Sequence, residues 1–209
     1  MATILQLKPG LKKFDYKPVK KSKRVDLELH GQLNLFNAPL REAKVIPLKS
    51  DLSPFEQGLL LDERGDKSAK DYYKRAIEEQ DYPADAYCNL GIIESKEGNM
   101  LNAIDCFTQS LKHEPRHFES HFNLANLYFD LNDLKLAKVH YQMAARFQPD
   151  YPNVYFNLAL VQAMMDEFKD AVDSLKRYKS LTGVSEHKNA DALLKNLQLS
   201  LQTPHLSKT

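Results

Sequence analysis

Cysteine is nearly absent from this chain of 209 residues. Cys88 and Cys106 are too few for a disulfide framework, and a reduced, cytoplasmic setting is the default expectation. No apolar stretch approaches the roughly 18 residues that a membrane-spanning helix needs, so no membrane partner is expected. Met1 to Leu7 shows neither the charged lead nor the apolar core of a secretory signal. Charge of one sign is not in excess: 29 Lys and Arg stand against 28 acids, a net charge of +1 that argues against a uniformly basic nucleic-acid binder. The glycine-rich patterns G-x-G-x-x-G and G-x-x-x-x-G-K-[ST] are missing, so phosphate cradles are absent and no cofactor is expected. What is there, 43% hydrophobic and 27% charged residues, is the composition of a globular protein.

The balanced total conceals an asymmetry. Residues 1–24 hold Lys8, Lys12, Lys13, Lys17, Lys20, Lys21, Lys23 and Arg24 against Asp15 alone, a balance of +7, which leaves −6 on the remainder. A basic arm preceding an acidic body often marks an interaction tail. Pro9, Gly10 and Pro18 and the lack of a helical period predict a flexible arm. Over 25–50, Leu27, Leu29, Leu33 and Leu35 alternate with polar residues, and Val45-Ile46-Pro47-Leu48 forms a second apolar strip. Residues 1–50 are therefore expected to be a basic, mostly non-helical extension with short extended segments.

From residue 51 onward the spacing becomes helical and repeats itself. Tyr87-Cys88-Asn89-Leu90-Gly91, His121-Phe122-Asn123-Leu124-Ala125 and Tyr155-Phe156-Asn157-Leu158-Ala159 follow one another at steps of 34 residues. The same step joins Ala69, Ala103, Ala137 and Ala171, then Tyr73, Phe107, Tyr141 and Leu175, then Pro115 and Pro149, then Gly98, Asn132 and Asp166. Such a period is the mark of stacked supersecondary units. The small residues let two helices approach, the rings fill the space between them, and the Gly/Asn/Asp positions suit left-handed turns.

These columns resemble the tetratricopeptide repeat (TPR). The resemblance implies an all-α superhelix of helical hairpins, with repeats at about 51–83, 84–117, 118–151 and 152–185 within a domain spanning 51–203. His187 to Gln202, with Ala190, Leu193, Leu194, Leu197 and Leu201 on one side, reads as a capping helix over about 187–202. Residues 204–209 are expected to be a frayed tail.

Chemistry motifs give little. His113-Glu114-Pro115-Arg116-His117 is a literal H-E-x-x-H, but a zinc protease needs it on an unbroken helix, and Pro115 lies inside it. It is expected to be an inter-repeat turn, with His121 as a further conceivable ligand. Cys106 reads as a small core residue, and neither thiol has a placed base. No catalytic residue and no metal ligand is assigned, and the chain is not expected to be an enzyme.

The resemblance also implies that the first helix of each pair lines a concave groove. Helical spacing puts Asp85, Cys88, Asn89, Ile92 and Lys96 on that face in the second unit. Glu119, Phe122, Asn123, Asn126 and Asp130 follow in the third, and Asn153, Phe156, Asn157, Leu160 and Met164 in the fourth. The column Asn89, Asn123 and Asn157 is similar to the asparagine ladder of the O-linked N-acetylglucosamine transferase repeats. An amide donates and accepts at once, so such a ladder grips an extended backbone whatever its side chains. The competing reading is that these amides tie neighbouring repeats together. Phe122, Phe156, Ile92 and Leu160 are expected to be exposed if nothing covers them, as the apolar anchors of a peptide groove. Acidic residues tilt the groove toward a protein or peptide ligand with basic and apolar residues. Chaperone-tail binding is not expected, because Cys88, Phe122 and Phe156 occupy places where relatives carry polar clamps.

Three readings of function follow. The leading one is a non-enzymatic scaffold that binds a peptide or partner segment in the groove. A self-directed variant has the +7 arm lying in its own acidic groove or a neighbour's. The alternative is a regulatory or nucleic-acid-associated protein using residues 8–24. Gly31 to Phe36 and Val45 to Leu48 are loosely similar to segments preceding such repeats in some bacterial transcription regulators. Twenty-four residues are too few for the winged helix-turn-helix that reading calls for.

Overall fold

The computed structural model describes residues 13–20 and 52–202. The extended pieces expected over 25–50 and the tail at 204–209 lie outside the described residues. Four antiparallel helix pairs follow one another: α1 (Pro54–Glu63) with α2 (Ala69–Glu78), α3 (Pro83–Lys96) with α4 (Met100–His113), α5 (Phe118–Asp130) with α6 (Leu134–Phe147), and α7 (Pro152–Met164) with α8 (Phe168–Leu181). A short 3₁₀ turn, Val184–Glu186, leads into α9 (Lys188–Gln202), which packs on α8. All the regular elements of the described residues are helical. This is the TPR-type superhelix with its cap.

Local chemistry sets the boundaries. Proline opens α1, α3 and α7, where its missing N–H costs no helical bond. Ser53 and Glu56 form a reciprocal capping box at α1. Within the pairs the chain reverses through Gly65, Gly98, Asn132 and Asp166, all left-handed with φ between 59° and 85°. Glycine is required for another reason at two places: a Cβ on Gly58 would lie 2.8 Å from the Tyr73 ring, and one on Gly91 would lie 2.8 Å from the Phe107 ring. The divergent first junction is more strained, with Gln80 and Tyr82 both left-handed. It is held by Asp81, which accepts the Phe55 N–H at 2.7 Å, and by Tyr82 packing on the Phe55 ring.

The core is a row of clusters, one per hairpin junction. Tyr73, Phe107, Tyr141 and Leu175 are each fully buried, as are Ala103, Ala137 and Ala171. Ala190, Leu193 and Leu197 of α9 close the last cluster with Phe168, Val172 and Tyr178. Cys106 is buried, and burial pushes its thiol up to about 12, leaving it protonated and inert at neutral pH.

The H-E-x-x-H pattern straddles two helices. α4 ends at His113, Glu114 is extended, and α5 begins after His117. His113 stacks on Tyr87, His117 caps α5 by accepting the Ser120 N–H, and His121 bonds His140. Among the described residues there is no group of three or more His, Cys, Asp or Glu side chains that could hold a metal ion.

Candidate functional site: the concave wall and its occupant

Residues 13–20 do not hang free but lie extended along the inner wall formed by α3, α5 and α7. Their direction is opposite to the repeat order, with Phe14 at the fourth repeat and Val19 at the second. Pro18 pushes Lys17 toward an extended backbone and withholds no donor that the wall uses.

Each asparagine of the column takes both backbone groups of one residue. Asn157 accepts the Phe14 N–H at 2.6 Å and donates to the Phe14 carbonyl at 2.8 Å. Asn123 treats Lys17 alike at 2.7 and 2.9 Å, and Asn89 treats Val19 alike at 2.9 and 3.1 Å. The geometry is that of one strand residue pairing with another, supplied by side chains fixed on helices. Second contacts aim the amides. Asn89 also donates to the Tyr73 hydroxyl, and Asn157 donates to the Tyr141 hydroxyl and to Asn126 Oδ1. At the middle rung the corresponding ring is Phe107, which has no hydroxyl, and Asn123 instead reaches Cys88 Sγ at 3.4 Å. The amides therefore grip the segment and tie the repeats at once.

Five side chains of the segment meet the wall. Phe14 meets the Phe156 ring edge-on at 5.3 Å and lies 6.0 Å from Tyr178. The Tyr16 ring lies parallel to Phe107, its hydroxyl accepts from Ser95 at 2.7 Å and faces Asp130, and burial pushes the phenol up to about 12. Val19 completes the cluster of Cys88, Ile92, Phe107 and Leu127. Lys13 Nζ is 3.3 Å from Asp130, and Lys17 Nζ is 2.5 Å from Glu119. Asp15 and Pro18 point to solvent. The six amide bonds, at about 1 kcal/mol each, fall short of ordering eight residues at about 1–2 kcal/mol each. The rings and Val19 must supply the difference.

Several groove residues stand elsewhere than the spacing predicts. Phe122, Phe156, Ile92, Leu160 and Cys88 are all buried. Phe122 lies between Tyr141 and Tyr151 inside the hairpin junction, and Leu160 belongs to the last core cluster. Phe156 is covered from the groove by Phe14, and Cys88 and Ile92 by Val19. Asn126 sits beneath Asn157, accepting from it and from Tyr141; its Nδ2 has no partner among the described residues. Asp85 is taken by His117 Nε2 at 2.8 Å, and Asn153 bonds the Tyr151 hydroxyl. Glu119 and the three column asparagines meet the segment directly. Phe118, Tyr151 and Ser95 also meet it. The helical-face reading passes over Phe118 and Tyr151 because they flank helix starts.

Stacked helical hairpins whose inner wall holds residues 13–20 define a helical repeat fold. Residues 84–117 match the family described as Tetratricopeptide repeat, and residues 125–166 the one described as TPR repeat. The chain is similar to tetratricopeptide repeat-containing protein trd-1 of Caenorhabditis elegans, 26% identical over 57% of this chain and 15% of the relative. It is also similar to tetratricopeptide repeat protein 8 of Mus musculus, 28% identical over 58% of this chain and 23% of the relative. The match thus spans less than a quarter of either relative's length. Among solved structures, the first TPR of Spaghetti (RPAP3) bound to the HSP90 peptide SRMEEVD superimposes with a TM-score of 0.53. That match covers 56% of this chain and 92% of the other at 21% identity, a likeness of fold. Among the described residues no helix is long and apolar enough to cross a membrane.

Proposed function

We propose that this protein is a non-enzymatic interaction scaffold whose concave wall binds an extended protein segment, and that residues 13–20 are an intramolecular ligand of that wall. The observation that carries this reading is the paired hydrogen bonding of Asn89, Asn123 and Asn157 to the backbone of Val19, Lys17 and Phe14. Backbone gripping recognises any chain in this conformation, so a partner segment of suitable side chains makes the same wall bonds as the arm and competes with it. Tethering gives the arm a high effective concentration, and a partner must exceed it or bind when the arm is drawn away. The ligand class is basic and apolar. An acidic peptide such as the one bound by the Spaghetti repeat would meet Glu119 and Asp130, which here face lysines. The nucleic-acid alternative loses support for the same reason, because Lys13 and Lys17 are already paired with those carboxylates.

The test is a labelled peptide with the sequence of residues 13–20, titrated into the intact chain and into a chain lacking residues 1–24. Tighter binding to the shortened chain, abolished by replacing all three column asparagines with Ala at unchanged helicity by circular dichroism, is the expected result. Equal binding to both chains, or binding that survives the triple replacement, overturns the proposal.

A further inference from the structure

We infer that Glu119, Phe118 and Tyr151 form a lysine-reading subsite, so that an unmodified lysine is the residue that qualifies an extended segment for this groove. The inference rests on the groove function proposed above and names what that groove selects. Lys17 Nζ lies 2.5 Å from Glu119 Oε1, 4.5 Å from the centre of the Phe118 ring and 5.0 Å from that of Tyr151. A carboxylate and two ring faces thus converge on one ammonium. The rings lend attraction through their π faces, and partial burial keeps the ion pair from being dissolved by solvent. Lys17 and Glu119 side chains are 26% and 21% exposed.

Register makes this pocket selective. Asn123 holds the N–H and carbonyl of Lys17 itself, so the lysine side chain is launched from a fixed backbone position into the cage. Lys13 offers the contrast. Its partner Asp130 is 42% exposed, its ring contacts are longer at 5.3 and 6.0 Å, and one of those rings is Tyr16 of the same segment. An Nε-acetyl group removes the charge that Glu119 and both rings recognise, and adds bulk where the ammonium sits. With the Phe14 and Val19 seats on either side, the partner that fits is a protein segment reading aromatic-x-x-Lys-x-aliphatic. It competes for the wall with residues 13–20.

The test uses the full chain and amide hydrogen exchange at Phe14 and Val19, whose N–H groups are bonded to the outer asparagines. In Lys17→Met, which keeps length and apolarity, both amides should exchange about tenfold faster, as they should in Glu119→Gln. Asn123→Ala serves as the control for the groove itself. Acceleration in Asn123→Ala without acceleration in Lys17→Met overturns the lysine subsite and leaves the groove reading standing. No acceleration in either overturns both. A labelled peptide with the sequence of residues 13–20 is then titrated into the Lys17→Met chain, with its Lys17 position unmodified or Nε-acetylated. Binding about tenfold weaker for the acetylated peptide is expected, whereas equal affinities, or binding by neither, overturn the inference.

Discussion

The seam inside each hairpin and the concave wall are built from adjacent positions of the same helices, yet they do different work. At the seam, Gly91 faces the Phe107 ring with contact so close that one methyl group matters, and Leu193 of the capping helix is fully buried against the last hairpin. At the wall, Asn89, Asn123 and Asn157 spend their amides on a segment far away in sequence. Seam residues decide whether the array folds, and wall residues decide what lies in it. A 34-residue period serves both because packing fixes where each wall amide projects.

Substitutions should separate the two regions by size and kind of effect. The largest belongs to the packed core: Leu193→Ala should lower stability by about 2–5 kcal/mol in urea denaturation, since it empties a buried site between the capping helix α9 and α8. Gly91→Ala should cost about 1–3 kcal/mol by thermal melting, because the clash with Phe107 outweighs the backbone entropy gained. At the wall, Asn123→Ala should cost about 1–2 kcal/mol while freeing the Lys17 amide to exchange, with helicity unchanged by circular dichroism.

A pH change probes the seam without mutation. His121 Nε2 donates to the Pro115 carbonyl, so its Nδ1 accepts from His140 Nδ1 at 3.0 Å, an arrangement of two neutral rings. Burial first, and His121 second, hold His140 down at about 4, and burial lowers His121 also. The unfolded chain binds those protons near the ordinary histidine value of about 6.5, ahead of the folded one. The stability that these two rings contribute is therefore full above about pH 6.5 and should fall as pH drops toward 4. His140→Gln should flatten that slope in urea titrations at successive pH values. The smallest effect is expected at the partly exposed pair Lys138–Glu167 between repeats, where Lys138→Ala should change stability by less than about 1 kcal/mol.

The sequence discloses these regions unequally. Helix pairs, left-handed turns at Gly98, Asn132 and Asp166, and the cap are legible because packing imposes the period. The asparagine column is legible for the same reason. Helical spacing identifies which side of a helix Phe122 and Leu160 occupy, but not that a neighbouring helix covers that side. Opposite charges on arm and wall foretell attraction without register, so nothing in the sequence alone assigned Phe14, Lys17 and Val19 to their asparagines. Phe118 opens α5 and Tyr151 caps the start of α7, and the two rings meet around Lys17 only once the hairpins stack.

The most direct examination is nuclear Overhauser spectroscopy of the intact chain at low concentration. If residues 13–20 occupy their own wall, cross-peaks join the Phe14 ring to the Phe156 ring and the Lys17 ε-methylene to the Tyr151 ring, and dilution leaves them unchanged. Missing cross-peaks in a fully helical protein, or cross-peaks that fade on dilution, contradict it.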